Sequence, residues 1–216
     1  MTGENEKRLK KIYDKLFRRY GNLNWWPAKS PYEVIVGAIL TQNTAWGNVE
    51  KAISNFDGSL TPEYIENIDI GELARIIYPS GFYTQKSAYL KECTKWYKKY
   101  GYSVENVRRH DLDAIRKELL ALRGIGYETA DSILLYAFGY PTFVVDAYTK
   151  RLLERLGIDI ALDYHSIKLY FENELDKDVA LYNNYHALIV INGKEHCRKK
   201  PVCTGCPLID ECKYNK

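Results

Sequence analysis

Apolar residues recur at intervals of three and four along most of this chain, the spacing that puts them on one face of a helix. Leu9, Ile12, Tyr13, Leu16 and Phe17 share such a face, with lysines and arginines opposite. Tyr32 to Leu40 reads as a second, strongly apolar helix. The polar run Thr41-Gln42-Asn43-Thr44-Ala45-Trp46 interrupts it before Val49, Ala52, Ile53 and Phe56 resume the period. Leu60 to Tyr78 carries two short helices, the clearer of which starts at Thr61-Pro62, a capping residue followed by proline. Lys86 to Tyr100 and Asp111 to Leu122 are helical, as are Tyr148 to Leu156, His165 to Leu175 and Val179 to Asn192. No segment shows a β pattern, and no repeat or low-complexity run breaks the sequence. An all-α protein is expected.

The stretch from Leu119 to Leu156 organises the rest. Gly124 and Gly126 separate an apolar segment ending at Leu122 from one whose Ala130, Ile133, Leu134 and Ala137 recur at helical spacing. That is a helix, a very tight turn and a second helix, whose first N–H groups suit a phosphate oxygen. Asp146 closes the apolar run Val144-Val145 and opens the next helix. Asp is a favoured N-cap, so capping alone is one reading of it. Earlier, Trp25-Trp26-Pro27 stops any helix, and the proline sets Trp26 extended. Two adjacent large rings cannot both enter one core, so at least one faces a cleft or the surface.

Composition changes this picture little. The chain has 216 residues, enough for one large core or two small lobes. No run is long and apolar enough for a membrane helix, and the polar Met1 to Arg8 is no signal peptide, so a cytoplasmic protein is expected. A net charge of +3 argues for nucleic acid only where basic residues cluster. Cysteines are more telling: Cys197, Cys203, Cys206 and Cys212 crowd the C-terminus, while Cys93 stands apart. A reducing compartment disfavours disulfides, so the four read as ligands for Zn²⁺ or a [4Fe–4S] cluster, between which spacing alone does not decide. Arg198, Lys199 and Lys200 lie between the first two, as a phosphate-binding loop or a solvated charge run.

Leu-Arg-Gly-Ile-Gly followed by Val-Val-Asp, together with the cysteine segment, resembles the endonuclease III superfamily of DNA glycosylases, with its helix-hairpin-helix, Gly/Pro-rich loop and catalytic Asp. Within it, Trp-Trp-Pro, Gly-Ala-Ile-Leu-Thr-Gln-Asn-Thr, Pro-Ser-Gly-Phe-Tyr-x-Gln-Lys and Gly-Ile-Gly-x-Glu-x-Ala-Asp look like the 3-methyladenine DNA glycosylase III branch across residues 25 to 157. The resemblance implies a two-lobed helical fold, with a helical domain over 26–141 and a second lobe of 1–25 plus 142–216 carrying the cluster loop. It implies Asp146 as catalytic residue, a base pocket of Trp25, Trp26, Pro27 and Trp46 with Glu128 beside it, and DNA contacts from Gly124, Gly126, Lys199 and Lys200. Gln42 or Asn43 would fill the space left by an extruded nucleotide, and Phe82 would wedge the opposite strand. Bifunctional members carry a Lys nucleophile where this chain has Glu128, so a monofunctional enzyme is expected. Adenine-mismatch enzymes need a Glu where Ala38 stands. The cysteine segment resembles the superfamily's [4Fe–4S] loop, with a first gap one residue shorter than the commonest spacing. It is also a departure, because a known member of the 3-methyladenine branch lacks the loop.

The expected partner is double-stranded DNA with a damaged base, the expected state a nucleoid-associated monomer, and the expected substrate an alkylated purine. Two rivals stay open: an endonuclease III-like enzyme for oxidised, uracil or mismatched thymine bases, and a non-catalytic DNA-binding module with structural zinc.

Overall fold

The computed structural model describes residues 2–23 and 25–214, and among them there is no strand. The helices are α1 (Thr2–Tyr20), α2 (Pro31–Leu40), α3 (Trp46–Ser54), α4 (Pro62–Asn67), α5 (Ile70–Ile76), α6 (Tyr83–Lys98), α7 (Val104–Val107) and α8 (Leu112–Ala121). After the turn come α9 (Tyr127–Ser132), α10 (Ala147–Leu156), α11 (Tyr164–Glu174) and α12 (Val179–Glu195). Their starts follow local chemistry: the side chains of Ser30, Thr61, Asp69, Asp163 and Asp178 each accept a first-turn N–H. Proline follows Ser30 and Thr61, where its missing N–H costs nothing. No described helix is long and apolar enough to cross a membrane.

Two compact units form. One is Trp26–Tyr140; the other joins Met1–Trp25 to Pro141–Lys216, so Pro141 falls with the second rather than closing the first. The first unit buries Val36, Ile39 and Leu40 of α2 with Val49, Leu90, Ile115, Leu119 and Ile133. The second buries Leu9, Ile12 and Leu16 of α1 with Phe143, Phe171, Tyr182 and Tyr185. There Phe143 and Phe171 stack at 3.9 Å, and the Tyr185 hydroxyl donates to the Leu9 carbonyl at 2.8 Å.

Two local departures from the expected pattern matter for the site. After α9 the chain widens into a π-helical turn, Ile133–Ala137, in which the Phe138 N–H reaches back five residues to the Ile133 carbonyl at 3.2 Å. Such turns rotate the following side chains off the α-helical period and are frequent at functional sites. Trp26 is not extended: its φ is +68°, in the left-handed region where a bulky residue is strained. The preference imposed by Pro27 is overridden by the packing of the indole described below.

Candidate active site and nucleic-acid interface

The helix-hairpin-helix is built from α8 and α9. Gly124 has φ +79°, and a Cβ on it would fall inside the ring of Tyr89, so only glycine fits on both counts. Gly126 differs: its φ of −91° is open to any residue and nothing would meet a Cβ there. It ends the turn with an exposed backbone as the residue before α9. Arg116 of α8 holds Asp131 of α9 bidentately, at 2.7 and 3.0 Å, with the carboxylate fully buried. Glu128 stands exposed in the first turn of α9.

The polar run after α2 meets this hairpin. Gln42 Nε2 donates to the Gly124 carbonyl and to Thr129 Oγ1, both at 2.9 Å. Asn43 is exposed, with φ +53°. Of the two polar residues, Gln42 has its amide hydrogens bound within the unit, while Asn43 projects outward.

Phe82 is 60% exposed and also left-handed, at φ +47°, immediately before α6. Tyr78 and Tyr83 flank it with ring centroids 4.9 Å apart. Lys86, one turn later, is buried, and its ammonium donates to the carbonyls of Leu40 at 2.7 Å and Ser80 at 2.8 Å. Burial lowers its pKa to about 8. One side chain thus ties the end of α2, which leads to Asn43, to the turn that presents Phe82. A cleft of about 170 Å³ opens there, lined by Gln42, Asn43, Phe82, Gln85, Lys86 and Tyr89.

The aromatic group lies in the same unit. Trp26 meets Trp46 edge-on at 5.5 Å and Tyr136 at 5.0 Å with a 36° tilt, and all three are half-buried. A Cβ on Gly37 of α2 would stand 3.2 Å from Trp26 Nε1, so the small residue there makes room for the indole. Sequence reading missed Tyr136, because the π turn that presents it has no signature in the hydrophobic period. Trp25 belongs to the other unit, where Lys194 Nζ sits 5.4 Å from its ring centroid. Pro27 is exposed.

In that second unit Asp146 caps α10. Its Oδ1 accepts the Thr149 N–H at 2.8 Å and the Thr149 hydroxyl at 3.0 Å, while Oδ2 lies 3.6 Å from His186 Nε2 of α12. Capping therefore uses one carboxylate oxygen and not the other. Burial alone would raise this carboxyl, but the His186 ring and the two Thr149 donors outweigh it, and its pKa lies below the usual Asp value of 3.8. The side chain keeps 12% exposure.

The four C-terminal cysteines are all partly buried in a loop braced by α10. Arg155 Nη1 stands 3.3 Å from Cys197 Sγ and donates to the Arg198 carbonyl at 2.7 Å; Nη2 donates to that of Lys199 at 3.1 Å. Arg151 donates to the Cys197 carbonyl at 2.6 Å. Burial, and the nearness of Cys197, Cys203 and Cys212, push the Cys206 thiol up. Among the described residues no group of three or more His, Cys, Asp or Glu side chains is gathered as a metal site. Four thiols brought near one another, with a guanidinium against one of them, are a donor set that suits either Zn²⁺ or a [4Fe–4S] cluster. Lys199 and Lys200 are exposed. Cys93 is buried in the first unit, far from this chemistry in role, its thiol raised by burial to about 12.

Comparison with known proteins agrees on the family. Residues 36–175 match the HhH-GPD superfamily base excision DNA repair protein family. A Methanocaldococcus jannaschii protein that carries the provisional name of a DNA repair glycosylase is 50% identical over 208 residues, 94% of each chain. Endonuclease III of Sulfolobus acidocaldarius is 29% identical over 191 residues, 86% of this chain and 83% of that one. Among solved structures, the H. pylori 3-methyladenine DNA glycosylase bound to 1,N6-ethenoadenine has a TM-score of 0.72 at 32% identity, covering 89% of this chain and 97% of its own. A non-covalent endonuclease III–DNA complex has a TM-score of 0.81 at 22% identity, over 97% and 96%, and shares the fold. The chain belongs to the HhH-GPD superfamily of base excision DNA repair proteins and is a DNA repair glycosylase of that family.

Proposed function

We propose that this glycosylase is monofunctional and releases alkylated purines, chiefly 3-methyladenine, from double-stranded DNA. The observation that carries the reading is the half-buried group of Trp26, Trp46 and Tyr136. A purine methylated on a ring nitrogen is a flat cation, and electron-rich rings attract it more than its neutral parent. It also leaves readily without a general acid, consistent with an alanine, Ala38, where an acid would be needed for adenine release. The 32% identical relative, named a 3-methyladenine DNA glycosylase and solved with 1,N6-ethenoadenine bound, adds support.

The chemistry follows from Asp146. The C1′–N bond breaks with its electron pair leaving on the base, which neutralises the methylated ring. Positive charge develops on the sugar, where the ionised carboxylate stabilises it. A water oxygen then bonds to C1′ and gives up its proton, for which the carboxylate is the acceptor. Glu128 has no amine to form a Schiff base, so the product is an intact strand with an abasic site.

In the same reading the amides of Gly124 and Gly126 meet phosphates, Phe82 wedges the opposite strand, and Asn43 rather than Gln42 fills the vacated stack. Lys199 and Lys200 add phosphate contacts. Cys197, Cys203, Cys206 and Cys212 would hold a [4Fe–4S] cluster, whose iron–thiolate bonds would close the C-terminal loop.

The test is incubation with methylated duplex DNA, with released bases identified and nicking scored separately. Free 3-methyladenine without nicking is expected. Release of uracil, thymine or oxidised pyrimidines instead would move the assignment to the endonuclease III-like activity, and a covalent adduct on borohydride treatment would overturn the monofunctional reading. Trp26→Leu should slow release from methylated DNA by about 30-fold, the worth of one desolvated cation–π contact, with little change on uracil DNA. Iron absent and zinc present in the purified protein would remove the cluster.

A further inference from the structure

His186 sits on a helix with little polar surface to spare. In α12, Asn184, Tyr185, His186, Ala187, Leu188, Ile189 and Val190 are all buried. A lone histidine in such a run is easily read as core, but its ring nitrogen lies 3.6 Å from Asp146 Oδ2. The approach has a visible cause. α10 packs against α12, and Gly193, two helical turns beyond His186, carries the ring of Tyr148 where a Cβ would otherwise stand. His186 and Gly193 share one face of α12. The glycine admits the first turn of α10, and the histidine receives the carboxylate two residues before Tyr148.

We propose that His186 is a positioning residue for base release, holding Oδ2 of Asp146 from α12 while Thr149 holds Oδ1 from within α10. The inference rests on Asp146 being the catalytic carboxylate. Thr149 and His186 are the groups that act on that carboxylate, one from each helix. Without His186 only the two Thr149 bonds to Oδ1 restrain rotation about the Cβ–Cγ bond, and the charge at Oδ2 loses its neighbouring ring nitrogen. Both changes weaken its alignment with the sugar, and misplacement of a reacting group is costly even when small.

The test compares His186→Leu and His186→Gln, which keep the volume of the ring; only glutamine keeps an N–H donor. Single-turnover base release from methylated duplex, DNA affinity and thermal unfolding are measured together. His186→Leu should release base about 10- to 100-fold more slowly, with affinity and melting temperature near wild type, and His186→Gln should recover most of the rate. Equal losses in both variants, tracking the melting temperature, would make His186 a packing residue and overturn the proposal, as would a wild-type rate in His186→Leu. Asp146→Asn is run alongside: if it turns over normally, the catalytic reading itself fails. Carboxyl NMR of aspartate-labelled protein needs no substrate. Asp146 should titrate at higher pH in His186→Leu than in wild type, and an unmoved titration would sink the pairing whatever the substrate proves to be.

Discussion

Asp146→Asn is expected to lower base release by at least about 100-fold, the cost of removing a single aligned electrostatic stabiliser in an active site, while folding and DNA binding survive. The substitution separates the two jobs of this residue. Asparagine is as good an N-cap as aspartate, and its carbonyl oxygen can keep the bonds from the Thr149 N–H and hydroxyl that Oδ1 now accepts. What it cannot supply is the negative charge at Oδ2, opposite His186. The pH dependence should follow the same carboxylate. Its pKa is depressed in the folded protein, so it is ionised throughout the neutral range, and its contributions to both stability and catalysis are lost only as pH falls through a value below 3.8. No acid limb from this group should therefore appear between about pH 5 and 8, the range in which an unperturbed aspartate is already ionised. Single-turnover release and DNA affinity on the same preparation check the split: an asparagine variant with wild-type turnover would reduce Asp146 to its capping role.

How much of this was legible in the sequence varies with the physics involved. Helices with a broad apolar face, such as Leu9 to Phe17, declared themselves through period alone, and α1 spans that stretch. The hairpin glycines were visible as punctuation, yet only Gly124 is required by its backbone and by Tyr89; Gly126 sits in an ordinary conformation. Where tertiary packing overrides local preference, the sequence misled. Trp26 takes a left-handed φ against the preference of a residue before proline, because its indole is held by Gly37, Trp46 and Tyr136. Tyr136 escaped notice because a π turn obeys no 3.6-residue period. Lys86 was quoted within a motif, but nothing in a sequence distinguishes a buried lysine bound to two carbonyls from a solvated one. His186 carried no signal in the sequence for the same reason: its partner, Asp146, lies forty positions away along the chain.

Asp131→Ala is expected to destabilise the Trp26–Tyr140 unit by about 3–5 kcal/mol, the usual result of stranding one member of a buried ion pair. Asp131 is fully buried, and its two oxygens take the Arg116 Nε and Nη2 at 2.7 and 3.0 Å. The fork-to-fork match makes this more than a surface pair, since planar guanidinium and carboxylate lose little freedom on meeting. Its location gives it a functional consequence. The pair ties α8 to α9 across the turn that holds Gly124, and the Arg116 guanidinium lies 5.4 Å from the ring centroid of the exposed Tyr127 at the start of α9. With the carboxylate gone, a cation is left 18% exposed against an apolar core and the two helices are no longer fixed in register. Urea unfolding should show the loss in midpoint, and DNA affinity should fall with it because the hairpin amides lose their frame. Arg116→Met combined with Asp131→Leu removes both charges and should recover much of the stability, since apolar replacements of buried pairs are often neutral or better. Recovery of stability without recovery of affinity would show that the pair sets the geometry of the hairpin. A cost below about 1 kcal/mol for Asp131→Ala, the range of an exposed pair, would instead mean that the packing of Ile125 and Ala130 holds the turn without it.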